Sequence, residues 1–462
     1  MNSLLRNIRN LAVVSVLALA VMPAVAATPA SAAVISATNS DLAYWNDTLV
    51  GGFRLQTVGP TLGPATLARA AAIMHAAIFD ALDVQSPNSS GPIYVNYLYR
   101  HTDVVGINYR LAIGLIGRDL LDFSLPATQS YFNSRYNQYF TSIGSPTNAA
   151  GETLANNVVA AYENARTSDG SQVTTAYTPD GVPGSWRFTG NGSCTSNSAV
   201  VTPNFGKVTP FVISSASQFR SGLPGGFTSY ASLLASSFYA TNFNLVRDIG
   251  QDTSTTRTPD QTLAARFWAN DAPGTYSVVG QLLTTTEQLL GSAGKSTLDT
   301  SRVYALVSLA LSDAGISAWD QKFDTQIDLW RPVSAITLAD TDGNPNTSTV
   351  AAWKPLGGSP CFPAFVSGHA EFAAAWSKVM AFVFTDNTTF TVGTEDPDVP
   401  AGSTRTFTSF SSAATETATS RLWRGVHWDF DNKSGTASGN QVGTYVIGNA
   451  LQPSPCVHGC TG

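Results

Sequence analysis

Three short segments of this 462-residue chain carry residue types suited to holding a fully charged tetrahedral oxyanion. In Phe365-Val-Ser-Gly-His-Ala-Glu-Phe372, a Pro- and aromatic-containing loop runs into an Ala-rich apolar stretch. Ser367 therefore falls at a helix N-cap, with Gly368 and His369 in the first turn. A helix start aims unpaired N–H groups and a positive dipole end at whatever lies ahead of it. Ser367 would add a hydroxyl, Gly368 would allow close backbone approach, and His369 could serve as an acid–base group. Taken alone, the tripeptide equally describes a capped helix with a half-buried histidine.

The second segment is Ser420-Arg-Leu-Trp-Arg-Gly-Val-His-Trp-Asp-Phe-Asp431. In one continuous helix, residues six apart point about 120° away from each other. Gly425 is placed to end the helix, so Arg421 would project from its last turn while His427 returns from beyond. The third is Trp319-Asp-Gln-Lys-Phe-Asp-Thr-Gln-Ile-Asp-Leu-Trp-Arg-Pro332. Pro332 disfavours helical geometry at Arg331, which should sit at a break. Arg331 offers a planar fork matched to oxyanions, and Lys322 a point charge. Each segment alone also reads as a surface arginine at a helix end. Jointly, two Arg, a Lys, a Ser-Gly helix start and two His make a complete set for an oxyanion.

Helices must position these groups. Apolar and Ala-rich patterning predicts helices over residues 67–84, 149–166, 259–270, 297–322, 369–384 and 411–422, the fourth being the longest. Residues 167–235 are Ser- and Gly-rich, too polar and turn-rich to form a core alone. Residues 385–410 alternate Thr with Phe390, Val392 and Phe407, as a short hairpin would. The expected class is all-α, a helical bundle (two packed bundles) with long polar loops and one β-hairpin. The expected organisation is a signal peptide at 1–32, an N-terminal helical half at 33–255, a C-terminal half carrying the oxyanion site at 256–450, and a Cys-containing tail at 451–462.

The signal-peptide reading rests on Arg6 and Arg9, the apolar run from Leu11 to Met22, and two A-x-A patterns, Ala24-Val25-Ala26 and Ala30-Ser31-Ala32. Pro23 and the small-residue tail interrupt the run before the ~20 apolar residues a membrane anchor needs. No other stretch reads as membrane-spanning, so the expectation is a secreted protein, periplasmic or extracellular, with no membrane association after cleavage. Removing two Arg and no acid takes the net charge from −6 to −8. An acidic chain with 12% charged residues argues against nucleic acid, which rewards clustered Lys and Arg. Four cysteines in an exported chain favour disulfides: Cys456 with Cys460, leaving Cys194 for Cys361. His458 between the first two invites zinc, but only three local ligands are present where four are needed.

The three motifs, in this order, resemble those of the vanadium-dependent haloperoxidases and the related type 2 phosphatidic acid phosphatases. Those families carry Lys and Arg-Pro seven residues apart, then Pro-Ser-Gly-His, then Ser-Arg with His six residues on. Here Ser420, Arg421 and His427 keep the third motif, and Val366 replaces Pro in the second. The first keeps Arg331-Pro332, but Lys322 lies nine residues before the Arg. Asp313-Ala-Gly-Ile-Ser-Ala-Trp319, Phe205-Gly-Lys-Val-Thr-Pro-Phe211, Trp268-Ala-Asn-Asp271 and Met74-His-Ala-Ala-Ile-Phe-Asp80 are similar to chloroperoxidase segments, particularly of secreted bacterial members.

The resemblance implies a helical protein that binds vanadate, or phosphate in a phosphatase. His427 would be the axial ligand to vanadium or the phosphatase nucleophile. Arg331, Arg421 and Lys322 would neutralise oxygens, Ser367 and Gly368 N–H would add hydrogen bonds, and His369 would be the acid–base group. Phe362 falls where chloroperoxidases carry Phe and algal bromoperoxidases His, making it a halide-pocket candidate. The implied small-molecule partners are hydrogen peroxide and halide, or a phosphate ester. In a regular helix, nine-residue spacing puts Lys322 and Arg331 on opposite faces, so a bulge or an early helix break is needed to keep Lys322 at the site. Asp324 and Asp328 add negative charge to that segment, and Arg424 stands where relatives carry a small or apolar residue. A haloperoxidase, an acid phosphatase with a phospho-histidine, and a non-catalytic oxyanion-binding protein all remain compatible with these residues.

Overall fold

The computed structural model describes residues 36–454 apart from 57–58, 60–61, 85–93, 103–105, 192–193 and 325–326. The signal peptide and the Cys456–His458–Cys460 motif lie outside the described residues. The helices are α1 (Asn39–Arg54), α2 (Pro64–Leu82), α3 (Tyr109–Ser124), α4 (Gln129–Ser142), α5 (Ala149–Arg166), α6 (Tyr230–Leu234) and α7 (Ser237–Ile249). They continue with α8 (Pro259–Phe267), α9 (Ser277–Ser292), α10 (Thr297–Phe323), α11 (Pro332–Thr337), α12 (Gly368–Phe384), α13 (Phe410–Trp423) and α14 (Asp429–Asn449). Strands β1 (Phe390–Gly393) and β2 (Thr404–Phe407) pair antiparallel, with Phe390 opposite Phe407. The all-α expectation holds, including the hairpin, with 57% of the described residues helical.

Two helices carry the core. In α2 Pro64 sits in the first turn, and the Ala-rich body that follows is buried on every face. By length and composition α2 could cross a membrane, contrary to the expectation that no mature segment would. Its apolar window is instead wholly buried against α10, α3 and α5. The second is α10, 27 residues capped by the Ser296 hydroxyl on Asp299 N–H and buried continuously from Val303 to Lys322. Since α2 and α10 pack along each other, the expected boundary at residue 255 separates two stretches that share a core.

The polar stretch 167–235 is organised by α10 instead of by a core of its own. Asp313 accepts N–H bonds from Phe211, Val212 and Ile213 at 2.7, 2.8 and 2.9 Å. Arg220 forks onto Asp320 at 2.7 and 2.6 Å. Cys194 is joined to Cys361 in a disulfide, as expected.

Helix α14, absent from the sequence expectation, explains the tight packing beneath the site. Its Gly435, Gly439 and Gly443 recur every four residues and face α12. A Cβ at these positions would lie 2.5 Å from Ser367 O, 2.2 Å from Glu371 O and 2.7 Å from Ala375 O. Glycine lowers helix propensity by about 1 kcal/mol per residue, which hides the helix from pattern reading. Here it allows backbone-to-backbone contact that fixes α14 relative to the start of α12.

Candidate oxyanion site

The start of α12, the break after α10 and the turn after α13 converge. At the first, Ser367 takes the N-cap position with extended backbone (φ −71°, ψ 113°), but its hydroxyl makes no capping bond. Its Oγ is buried without a hydrogen-bond partner. The Ser367 N–H is held by the Asp431 carbonyl at 3.1 Å. A Cβ at Gly368 would lie 3.4 Å from Trp319, an ordinary van der Waals contact.

Helix α10 ends at Phe323, and this early break absorbs the extra residues between Lys322 and Arg331. Arg331 then takes extended backbone ahead of Pro332 (φ −73°, ψ 153°), as its Pro neighbour requires. Its Nε donates to Phe362 O at 2.8 Å, and Nη1 donates to Val426 O at 2.8 Å and to His427 Nε2 at 3.0 Å. Its Nη2 has no partner. Lys322 Nζ donates to Pro363 O at 2.9 Å, Ala364 O at 3.2 Å and Val366 O. The ammonium thus braces the loop leading to Ser367 from below, with all three of its N–H bonds on main-chain carbonyls. Burial, reinforced by Arg331, depresses its pKa well below the ordinary lysine value. The Phe362 ring lies 4.9 Å from Lys322 Nζ and 4.7 Å from Arg331 Cζ.

Gly425 (φ +78°) ends α13 as expected, its N–H bonding Leu422 O at 2.9 Å. Arg421 is fully buried in the last turn. Its Nη2 donates to Asp271 Oδ2 at 2.9 Å, while Nε and Nη1 are unpartnered. His427 Nδ1 lies 2.9 Å from Asp431 Oδ2, in the first turn of α14. Arginine cannot accept, so Nε2 must accept from Arg331, and Nδ1 carries the hydrogen given to Asp431. The neutral ring therefore presents its Nε2 lone pair toward the arginines. Burial, then Arg331, Lys322 and Arg421, hold the His427 pKa well below its usual value. Burial pushes Asp431 upward against the opposing Trp428 N–H, Lys322 and Arg331.

His369 donates from Nε2 to Ala269 O at 3.2 Å, with Asp271 Oδ1 at 3.9 Å. Burial and Arg421 take its pKa down to about 3, so the ring is neutral with its lone pair on Nδ1. Asp271 follows α8, which stops at Phe267 and not at residue 270 as expected, because Asn270 turns to positive φ (43°). Burial raises the Asp271 carboxyl, yet Arg421, His369 and Arg424 outweigh it and hold it below the usual range.

The structure thus joins Arg331, His427, Asp431 and Ser367 in one hydrogen-bonded chain, and Arg421, Asp271 and His369 in another. Sequence reading missed Asp271 and gave Asp431 no role, although its i+4 spacing from His427 was a usable signal. Buried polar atoms almost always have partners. Four donor atoms here have none: Arg331 Nη2, Arg421 Nε and Nη1, and Ser367 Oγ. A many-oxygen anion would satisfy them all, so this donor set fits vanadate or phosphate.

Residues 302–453 match the family model of the VCPO second helical-bundle domain. Over 232 residues the chain is 28% identical to vanadium chloroperoxidase of Curvularia inaequalis, a match covering 38% of this chain. The chain thereby spans only 37% of that curated relative. A bacterial vanadium-dependent iodoperoxidase superposes with a TM-score of 0.75 at 23% identity, over 92% of this chain and 100% of that one. A holo bacterial vanadium-dependent chloroperoxidase gives 0.64 at 17% identity, over 85% and 92%. The fold is shared with these haloperoxidases, and the resemblance expected from the motifs is borne out.

Proposed function

We propose that the chain is a secreted vanadium-dependent haloperoxidase, oxidising a halide with hydrogen peroxide at a vanadate held by His427. The observation that carries this reading is the set of four unpartnered buried donors around a neutral histidine whose Nε2 lone pair faces them, held in the free protein by Arg331 Nη1. Vanadate, when bound, supplies a Lewis acid that activates hydrogen peroxide without changing its own oxidation state. His427 Nε2 would be its protein ligand, oriented by Asp431 through Nδ1–H. Arg331 and Arg421 would neutralise its oxygens, with Ser367 Oγ and the Gly368 N–H at the helix start completing the cradle. Lys322 would contribute charge from beneath the loop.

The overall reaction takes halide, hydrogen peroxide and one proton to hypohalous acid and water. The O–O bond breaks, and the halide loses two electrons. Delivering that proton falls to His369: burial and Arg421 keep the ring neutral in the free protein, and the negative charge of a bound anion would raise its pKa toward working pH. Phe362, flanked by both cations, gives the halide an apolar wall. Export is supported by the Cys194–Cys361 disulfide, which persists in oxidising compartments.

The test is to strip metal from the mature chain and assay halogenation of a dione with peroxide and halide, with and without vanadate. Vanadate-dependent halogenation that H427A abolishes supports the proposal. Hydrolysis of p-nitrophenyl phosphate, inhibited by vanadate, would instead assign a phosphatase. Silence in both, or activity surviving in H427A, overturns it.

A further inference from the structure

Arg424 stands one residue past α13, and its role is not explained by the cradle. The residue is only 8% exposed, yet among the described residues its guanidinium has no carboxylate within salt-bridge distance. Nη1 reaches Ala265 O at 3.4 Å, at the long limit of a hydrogen bond, and Nε is buried with no partner. Asp271 and Asp396 act on it only at longer range, and a buried guanidinium without a direct partner carries a cost that a bound anion would offset. The local sequence makes room for it. A Cβ on Gly357 would lie 2.4 Å from both Cζ and Nε of Arg424, so only glycine lets the fork lie across that backbone.

Its place relative to the cradle is also clear. The charge of Arg424 is felt by His369, Asp271, Arg421 and Asp396. The charges bearing most on His427 are Arg331, Lys322, Arg421 and His369. Arg424 Nη1 reaches Ala265 in α8, and the residues just after that helix, Ala269 and Asp271, stand against His369, so Arg424 lies on the His369 flank. On that flank the Asp271 side chain is 34% exposed, whereas Arg331, Arg421 and Ser367 are fully buried. An anion entering past Asp271 would be repelled by its carboxylate unless a nearby cation offset it. Asp396 makes no ion pair with Arg424; its oxygens accept from the N–H groups of Asn270 and Asp398.

We propose that Arg424 forms a second anion subsite on the His369 flank of the cradle, taking a small monovalent anion, the halide, on its way in. The subsite binds through the unpartnered Nε–H and the guanidinium charge, and it offsets the Asp271 carboxylate. Its assignment to halide rests on the function proposed above; anion binding itself does not.

The experiment is bromide NMR line broadening on the metal-free protein and on protein saturated with vanadate, for wild type, R424L and G357A. G357A leaves the arginine in place but pushes its guanidinium aside, so it tests the subsite even if R424L folds poorly. Wild type should broaden bromide in both states, and each variant should weaken that binding about tenfold, the loss of one charge-assisted bond. Vanadate affinity, measured by equilibrium dialysis, should change far less. Benzoate is the competing arm: displacement of bromide by low benzoate but not by chloride or iodide would assign the subsite to an organic carboxylate and overturn the halide assignment. Unchanged bromide binding in both variants, or parallel loss of bromide and vanadate binding, overturns the subsite. Arg424-dependent bromide binding in a wild type that does not halogenate would sink the proposed function and leave the subsite standing.

Discussion

Ser367→Ala separates a structural role from a ligand-binding one at a single oxygen. A serine at a helix N-cap normally stabilises by bonding an early N–H, and its loss to alanine costs about 1 kcal/mol. Ser367 makes no such bond, and its hydroxyl is buried without a partner. Removing an unsatisfied buried hydroxyl costs nothing and can relieve about 1 kcal/mol of desolvation. The metal-free variant should therefore be as stable as wild type or slightly more so. Its vanadate affinity should fall about 10- to 100-fold, the value of a hydrogen bond to a charged group.

Urea unfolding with and without vanadate reads both effects. At a vanadate concentration 100 times the wild-type Kd, ligand binding adds about 2.7 kcal/mol to wild type. At the same concentration the variant should gain only about 0.4–1.4 kcal/mol. A metal-free S367A destabilised by more than about 1 kcal/mol, with an unchanged vanadate increment, would refute the reasoning. The hydroxyl would then be a helix cap.

Lys322→Met should behave in the opposite way. Three carbonyls lose their donor, at about 1–3 kcal/mol each at most, so the metal-free variant should melt well below wild type while S367A does not. Asp431→Asn lets an amide donate to His427 Nδ1 and moves the ring hydrogen to Nε2; vanadate affinity by dialysis should drop about 10- to 100-fold with the fold retained. A pH effect arises away from the site. His75, stacked on Tyr304 and bonded to Asn46, has its pKa taken down to about 3 by burial. The unfolded chain protonates near pH 6.5 and the fold does not, so stability falls as pH drops, by about 1.4 kcal/mol per unit below that point. Glu287, which accepts from Asn46 and is raised to about 7 by burial, gains a proton in the fold between its unfolded pKa and pH 7 and opposes the loss. Urea unfolding between about pH 7 and pH 5 should show a shallower loss in H75Q and a steeper one in E287Q.

How much of this was legible depends on where each signal lies. Helix α5 has the expected bounds, because its N-cap, patterning and charged ends are all local. Gly425 and Pro332 announced their backbone conformations, and these turns aim Arg421 and Arg331 inward. Helix α14 was hidden because its Gly435, Gly439 and Gly443 serve packing against α12 at the expense of propensity. Lys322 appeared displaced only while the segment was read as one helix; the break at Asp324 restores it to the site, though with its N–H groups turned to the loop.

The unpartnered donors of the cradle sit at helix ends, where capping and turn rules make them visible. The carboxylates that hold those donors obey no such rule. Asp431 lies four residues from His427 and could have been found by spacing. Asp271 reaches Arg421 from 150 positions away, delivered by a positive-φ turn at Asn270 that no periodicity marks. Arg424 joins both cases. Its position was conspicuous as a departure from the family pattern, but its meaning depends on Gly357, a distant glycine whose missing Cβ is what lets a guanidinium lie buried on the His369 flank of the site.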